Sequence, residues 1–144
     1  MMKFLSVVLV LVFLLSLAGC QTEGGQFVKQ SIFDFVIQNK NEILLACDPA
    51  DPNALLALGK IKEVDVVEGY VLAYCEGRGI VPSSQYYGFY YSKDDLPVAV
   101  FDGWILCNTD DLREEGRGYQ YSENGNIFYT EKIADNLWFY SASF

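Results

Sequence analysis

The chain contains no histidine. Ser-His-Asp and Cys-His triads, histidine-ligated metals and imidazole acid–base chemistry are therefore excluded. There is no Cys-x-x-Cys pair, which removes thioredoxin-like redox chemistry and zinc ribbons. No Gly-x-Ser-x-Gly elbow, Gly-x-x-x-x-Gly-Lys phosphate loop or Ser-x-x-Lys spacing occurs. Positive charge is scarce, with ten Lys and Arg against nineteen Asp and Glu. An acidic chain is a poor partner for nucleic acid and for anionic lipid surfaces.

What is present begins with an apolar run. Lys3 is followed by continuously apolar residues over 4–17, interrupted only by Ser6 and Ser16. Charge, apolar core and small residues, in that order, mark a cleavable secretory signal. The run is shorter than the roughly 20 residues a spanning helix needs. It ends in Leu17-Ala18-Gly19-Cys20, which resembles the lipobox of bacterial lipoproteins. That resemblance implies that the Cys20 thiol receives a diacylglyceryl group, the sole cofactor-like group expected, and that residues 1–19 are removed. Residues 20–26 then form a short polar tether and residues 27–144 a single domain. The implied location is the extracytoplasmic face of the cell membrane, held by fatty acyl chains. Loss of Lys3 leaves nine basic against nineteen acidic residues, a formal charge of −10.

Three cysteines follow Cys20, each in an apolar setting: Cys47, Cys75 and Cys107. Buried free thiols are the simpler account; one bridge with one thiol left over is the alternative.

Apolar residues over 27–47 recur at helical spacing, with Val28, Ile32, Phe35, Val36, Ile43 and Cys47 near one face. Asp48-Pro49 stops this helix, and Asp51-Pro52 caps a short second one over 52–58. From Lys60 onward the pattern changes to strands and turns. Hairpins are expected around Glu68-Gly69, Lys93-Asp94-Asp95 and Asn124-Gly125, with a further strand over 104–107 and a last one over 137–144. Residues 109–118 read as a polar loop. The sum is an α+β fold, helices packed on an antiparallel meander of about six or seven strands.

Aromatics fall on both faces of the strands at Tyr86-Tyr87-Gly88-Phe89-Tyr90-Tyr91 and at Trp138-Phe139-Tyr140. Tyrosines paving a wet sheet face compete here with a ligand surface. The stretch Gly79-Ile80-Val81-Pro82-Ser83-Ser84-Gln85-Tyr86-Tyr87-Gly88-Phe89-Tyr90-Tyr91-Ser92, with Thr130-Glu131-Lys132-Ile133 and the aromatic ending, resembles small uncharacterised proteins of anaerobic, gut-type Firmicutes. The resemblance implies no activity and no functional residues.

Candidate chemistry is sparse. Asn108, Asp110 and Glu114 are the nearest approach to a calcium loop, but the required glycine and bidentate glutamate are missing. Glu-Gly-Arg-Gly occurs at residues 76–79 and 115–118; ordinary strand-end turns explain it. Residues 78–87 read as a loop, with Arg78, Ser83, Ser84, Tyr86 and Tyr87 as candidate binding residues. These features favour a non-enzymatic, membrane-anchored binding module that meets a protein or small ligand. The alternatives are an inhibitor or immunity-type lipoprotein acting on a basic exported partner, and a carboxylate-dependent hydrolase.

Overall fold

The computed structural model describes residues 22–80 and 83–144. The signal and Cys20 lie outside the described residues. Among the described residues three helices come first: α1 (Thr22–Gln38), α2 (Lys40–Cys47) and α3 (Pro52–Leu56). Nine strands follow: β1 (Glu63–Val67), β2 (Tyr70–Ile80), β3 (Ser83–Ser92), β4 (Ala99–Phe101), β5 (Trp104–Cys107), β6 (Arg113–Glu115), β7 (Gly118–Glu123), β8 (Asn126–Ala134) and β9 (Leu137–Ser143). The α+β class, with helices on an antiparallel sheet, is the one the sequence pattern implies.

The sheet joins two meanders edge to edge. Seven strands run in the order β1-β2-β3-β9-β8-β7-β6, and β4-β5 form a separate two-stranded hairpin. The turn at Lys93-Asp94-Asp95 therefore does not close the expected hairpin. β3 pairs with β9, while β4 pairs with β5 through Asp102-Gly103. Asp95 supplies the reason. Its carboxylate accepts from the Asn136 backbone N–H at 2.9 Å and from Trp138 Nε1 at 3.1 Å, and it pairs with Lys132. It is tied to the β8–β9 turn, so β4 leaves the sheet plane.

The helical stripe also breaks in one place. At Asn39 the backbone turns to φ −109°, ψ 21°, and the expected single helix becomes α1 and α2; the Phe35 carbonyl there accepts from both the Asn39 N–H at 3.1 Å and its side-chain Nδ2 at 2.8 Å. Residues 22–26, read as a tether, are instead the start of α1. Gly24 and Gly25 are weak helix formers, but a Cβ on either would lie 3.3 Å from Arg78 Nη1 or Tyr87 Oη. Tertiary contact decides their conformation. Likewise residues 109–118 are more ordered than a loop, holding a single 3-10 turn and β6.

Strand alternation divides the side chains into two layers. Val71, Ala73, Cys75, Tyr87, Phe89, Leu137 and Phe139 face the helices and pack against Val28, Ile32, Val36, Ile43 and Leu55. Leu72, Tyr90, Trp138 and Tyr140 face the other way, under Val98 and Val100 of the hairpin segment. Cys47, Cys75 and Cys107 are free and buried, as their apolar settings imply.

Candidate functional site

The five residues singled out from sequence do not form one site. Residues 78–80 close β2 and residues 83–87 open β3, so the expected loop is a pair of strands. A bulge between Tyr74 and Glu76 resets the alternation. Arg78 pairs opposite Gln85 and Gly77 opposite Tyr86. Arg78 and Tyr87 consequently lie on the helix side, near Gly24 and Gly25. Arg78 Nε is engaged by Glu76 at 2.8 Å, and the Tyr87 hydroxyl donates to Gln85. Tyr86 lies on the hairpin side, its ring edge-on to Phe101 with centroids 5.1 Å apart. Ser84 and Tyr87 are buried, and Ser83 is exposed. The second Glu-Gly-Arg-Gly segment forms the β6–β7 turn, from which Arg117 reaches Glu131 at 3.5 Å.

Each side of the sheet carries a concavity, and a further one lies along α1 beside Phe27, Asp34 and Lys60. On the helix side a groove of about 410 Å³ lies between the start of α1 and the β6–β7 turn, lined by Lys29, Tyr87, Tyr129 and Ser141 among others. Lys29 and Tyr129 in its wall are already engaged. Glu131, almost fully buried, accepts from Lys29 and, at 2.7 Å, from the Tyr129 hydroxyl. Lys29 Nζ also sits 5.1–5.8 Å from the ring centroids of Phe33, Tyr129 and Phe139. Burial raises the Glu131 pKa, but hydrogen bonds from Lys29 and Tyr129 and the charges of Lys29 and Arg117 outweigh it, holding the carboxyl below its ordinary value. This cluster docks α1 on the sheet.

The hairpin side is different. A cavity of about 140 Å³ lies between β1, β2 and β3, the Asp102-Gly103 turn and β9. Glu63 and Asp65, two apart on β1, share the face that carries Tyr74 and Leu72 on β2. Asp102 comes from the other layer. Gly103 has φ 74°, and a Cβ there would lie 3.1 Å from Asp65 Cγ, so glycine lets this turn come down onto the carboxylate without strain or crowding. Tyr86, Phe101 and Val100 complete the aromatic and apolar wall.

Tyr140 lines the interior of this cavity. Its ring lies over Gly88, where a Cβ would come within 2.6 Å of Tyr140 Cε1. The residue is only 5 % exposed, yet its hydroxyl has no hydrogen-bond partner among the described residues. No fully enclosed polar side-chain atom in the described residues lacks a partner, so this hydroxyl keeps its accessible surface toward the cavity. Burial first, then Cys75, Tyr74, Asp65 and Glu63, push its pKa well up, so it stays a neutral phenol. Burial and the neighbouring Tyr86 and Glu76 raise Tyr74 as well.

None of Glu63, Asp65 and Asp102 has an ion-pair partner among the described residues. Acids on an edge strand can serve to block strand addition, but that does not account for Asp102. The carboxylates do not form a metal ligand set: no group of three His, Cys, Asp or Glu is so placed among the described residues. A carboxylate hydrolase needs room for substrate on both sides of the broken bond. This cavity is well below the roughly 300–1,000 Å³ of sites for larger ligands. The buried thiols are poor nucleophiles, since burial pushes Cys47 and Cys75 up to about 12.

Of the five residues singled out from sequence only Tyr86 lines this cavity; Glu63, Asp65, Tyr74, Asp102 and Tyr140 were not among them. The alternation of Glu63 and Asp65 was a readable signal; the approach of Asp102 across the layers had none. No helix among the described residues is long and apolar enough to cross a membrane. Comparison with known families, curated proteins and solved structures finds no match.

Proposed function

We propose that the protein is a lipid-anchored extracytoplasmic binding module whose ligand site is the cavity between β1–β3, β9 and the Asp102-Gly103 turn. The observation that carries this reading is the Tyr140 hydroxyl, on a side chain only 5 % exposed, open to the cavity and without a hydrogen-bond partner among the described residues, beside acids that form no ion pair among them. A hydroxyl open to a cavity and without a protein partner is left for solvent or a ligand to satisfy. The anchor is supported by Leu17-Ala18-Gly19-Cys20. α1 starts at Thr22, two residues beyond Cys20, so the domain would be held directly at the bilayer surface.

Each half has its own test. For the anchor, cells expressing the chain are fed labelled fatty acid. The native protein takes up label and Cys20→Ala does not; label persisting on that variant would contradict the lipid attachment. For the site, small fragments are screened against the ¹⁵N-labelled chain by NMR. Perturbations should cluster on β1, β2 and the Asp102-Gly103 turn. Clustering at the groove beside Tyr87 would place the site on the wrong side of the sheet.

A further inference from the structure

Resting on that reading of the cavity, we infer that it takes a primary alkylammonium group. Charge gives the first reason. Glu63, Asp65 and Asp102 contribute acid, and no lysine or arginine lines the cavity. Aromatic rings give the second. Tyr74, Tyr86 and Phe101 stand around the same space, and ring faces attract cations. The Tyr74 ring already meets a cation from outside the cavity lining: Lys62 Nζ lies 5.7 Å from its centroid.

Hydrogen bonding narrows the class. The Tyr140 hydroxyl is free to accept, and the carboxylates are acceptors only. A primary ammonium brings three N–H donors to such a set, whereas a quaternary ammonium brings none. Size narrows it further. At about 140 Å³ the cavity holds a head group rather than a whole large ligand. The carrier is then a small free amine or a lysine side chain presented by a peptide.

The full ¹⁵N-labelled chain in uncharged detergent micelles is titrated with n-butylammonium, tetramethylammonium, 1-butanol and butyrate, each matched to KCl for ionic strength. Butylammonium should give saturable shifts at Asp65, Tyr74, Asp102 and Gly103, about tenfold tighter than any other probe, as expected for one lost charged hydrogen bond. Asp65→Asn should weaken it about tenfold and Tyr140→Phe about threefold. Should Asp65→Asn not fold, Asp102→Asn takes its place with the same expectation. A peptide with one lysine, tested beside butylammonium, identifies the carrier: tighter binding of the peptide assigns the lysine side chain, and equal or weaker binding assigns a small amine. Butylammonium acting no more strongly than KCl, or insensitivity to both substitutions, would overturn the inference. If butanol or butyrate saturates these residues while butylammonium does not, the ammonium class fails and the cavity remains a binding site. If no probe moves them, both fail together.

Discussion

The two faces of this sheet are closed in different ways. On the helix face the buried charge is satisfied: Glu131 holds Lys29, Arg117 and the Tyr129 hydroxyl. On the hairpin face Tyr90 is treated in the same manner. Its hydroxyl accepts from the Val98 N–H at 3.0 Å and meets Thr130 Oγ1 at 2.8 Å, while Thr130 donates to the Phe139 carbonyl at 2.9 Å. Tyr140, on the neighbouring strand of that same face, has no such arrangement. Two buried tyrosines with near-equal burial thus carry opposite hydrogen-bond states. One pins the β4 segment onto the sheet. The other is left facing a cavity, and the difference separates what holds the fold from what is available to a ligand.

The comparison can be broken at several points. The largest effect is expected in the helix-facing core. Phe139 is 1 % exposed and packs against Phe33, Tyr87 and Tyr129, so Phe139→Ala should cost about 4 kcal/mol in urea unfolding. Next comes the docking cluster. Lys29→Met leaves the Glu131 carboxylate with only Tyr129 and the solvent-exposed Arg117, at about 2.5 kcal/mol. Adding Glu131→Leu to it should recover most of that loss; no recovery would show that Lys29 acts through packing on its aromatic neighbours instead.

The same cluster sets an acid limit. Glu131 and Asp95 are both held below their ordinary pKa. For Asp95 burial opposes the shift, and Lys132, Asn136 and Trp138 bonds prevail. A depressed folded-state pKa adds stability above the unfolded-state value, about 4 for carboxylates, which is lost as pH falls through the folded-state value. Thermal unfolding should therefore be flat from pH 7 to about 5 and fall below about 4. In Glu131→Gln the fall should be shallower.

A smaller effect belongs to the hairpin pin. Tyr90→Phe leaves the Val98 N–H without its acceptor and should cost about 1.5 kcal/mol.

These predictions also mark how far the sequence was legible. Periodicity located the helical stripe, since Val28, Ile32, Val36, Ile43 and Cys47 are all buried. Asn124-Gly125 placed the β7–β8 turn, and Asp51 caps α3 by accepting from the Ala54 N–H at 3.1 Å. Those features are local, and local chemistry decides them. The wrong reading of the Lys93-Asp94-Asp95 turn has a different cause. Asp95 takes its partners from residues 132–138, a separation no turn signal records. The same limit hid the cavity, whose walls come from residues 63–103 and from Tyr140. Candidates drawn from one contiguous stretch, Arg78 to Tyr87, were split across two faces by alternation alone.

The Tyr140 hydroxyl distinguishes a ligand cavity from a packing defect. Equilibrium unfolding of Tyr140→Phe, measured without ligand beside Tyr90→Phe, separates the two tyrosines. Removing an unpartnered hydroxyl should leave stability within about 0.5 kcal/mol of the native chain. A loss matching that of Tyr90→Phe would make Tyr140 part of the fold, and the cavity would lose its claim to be the binding site.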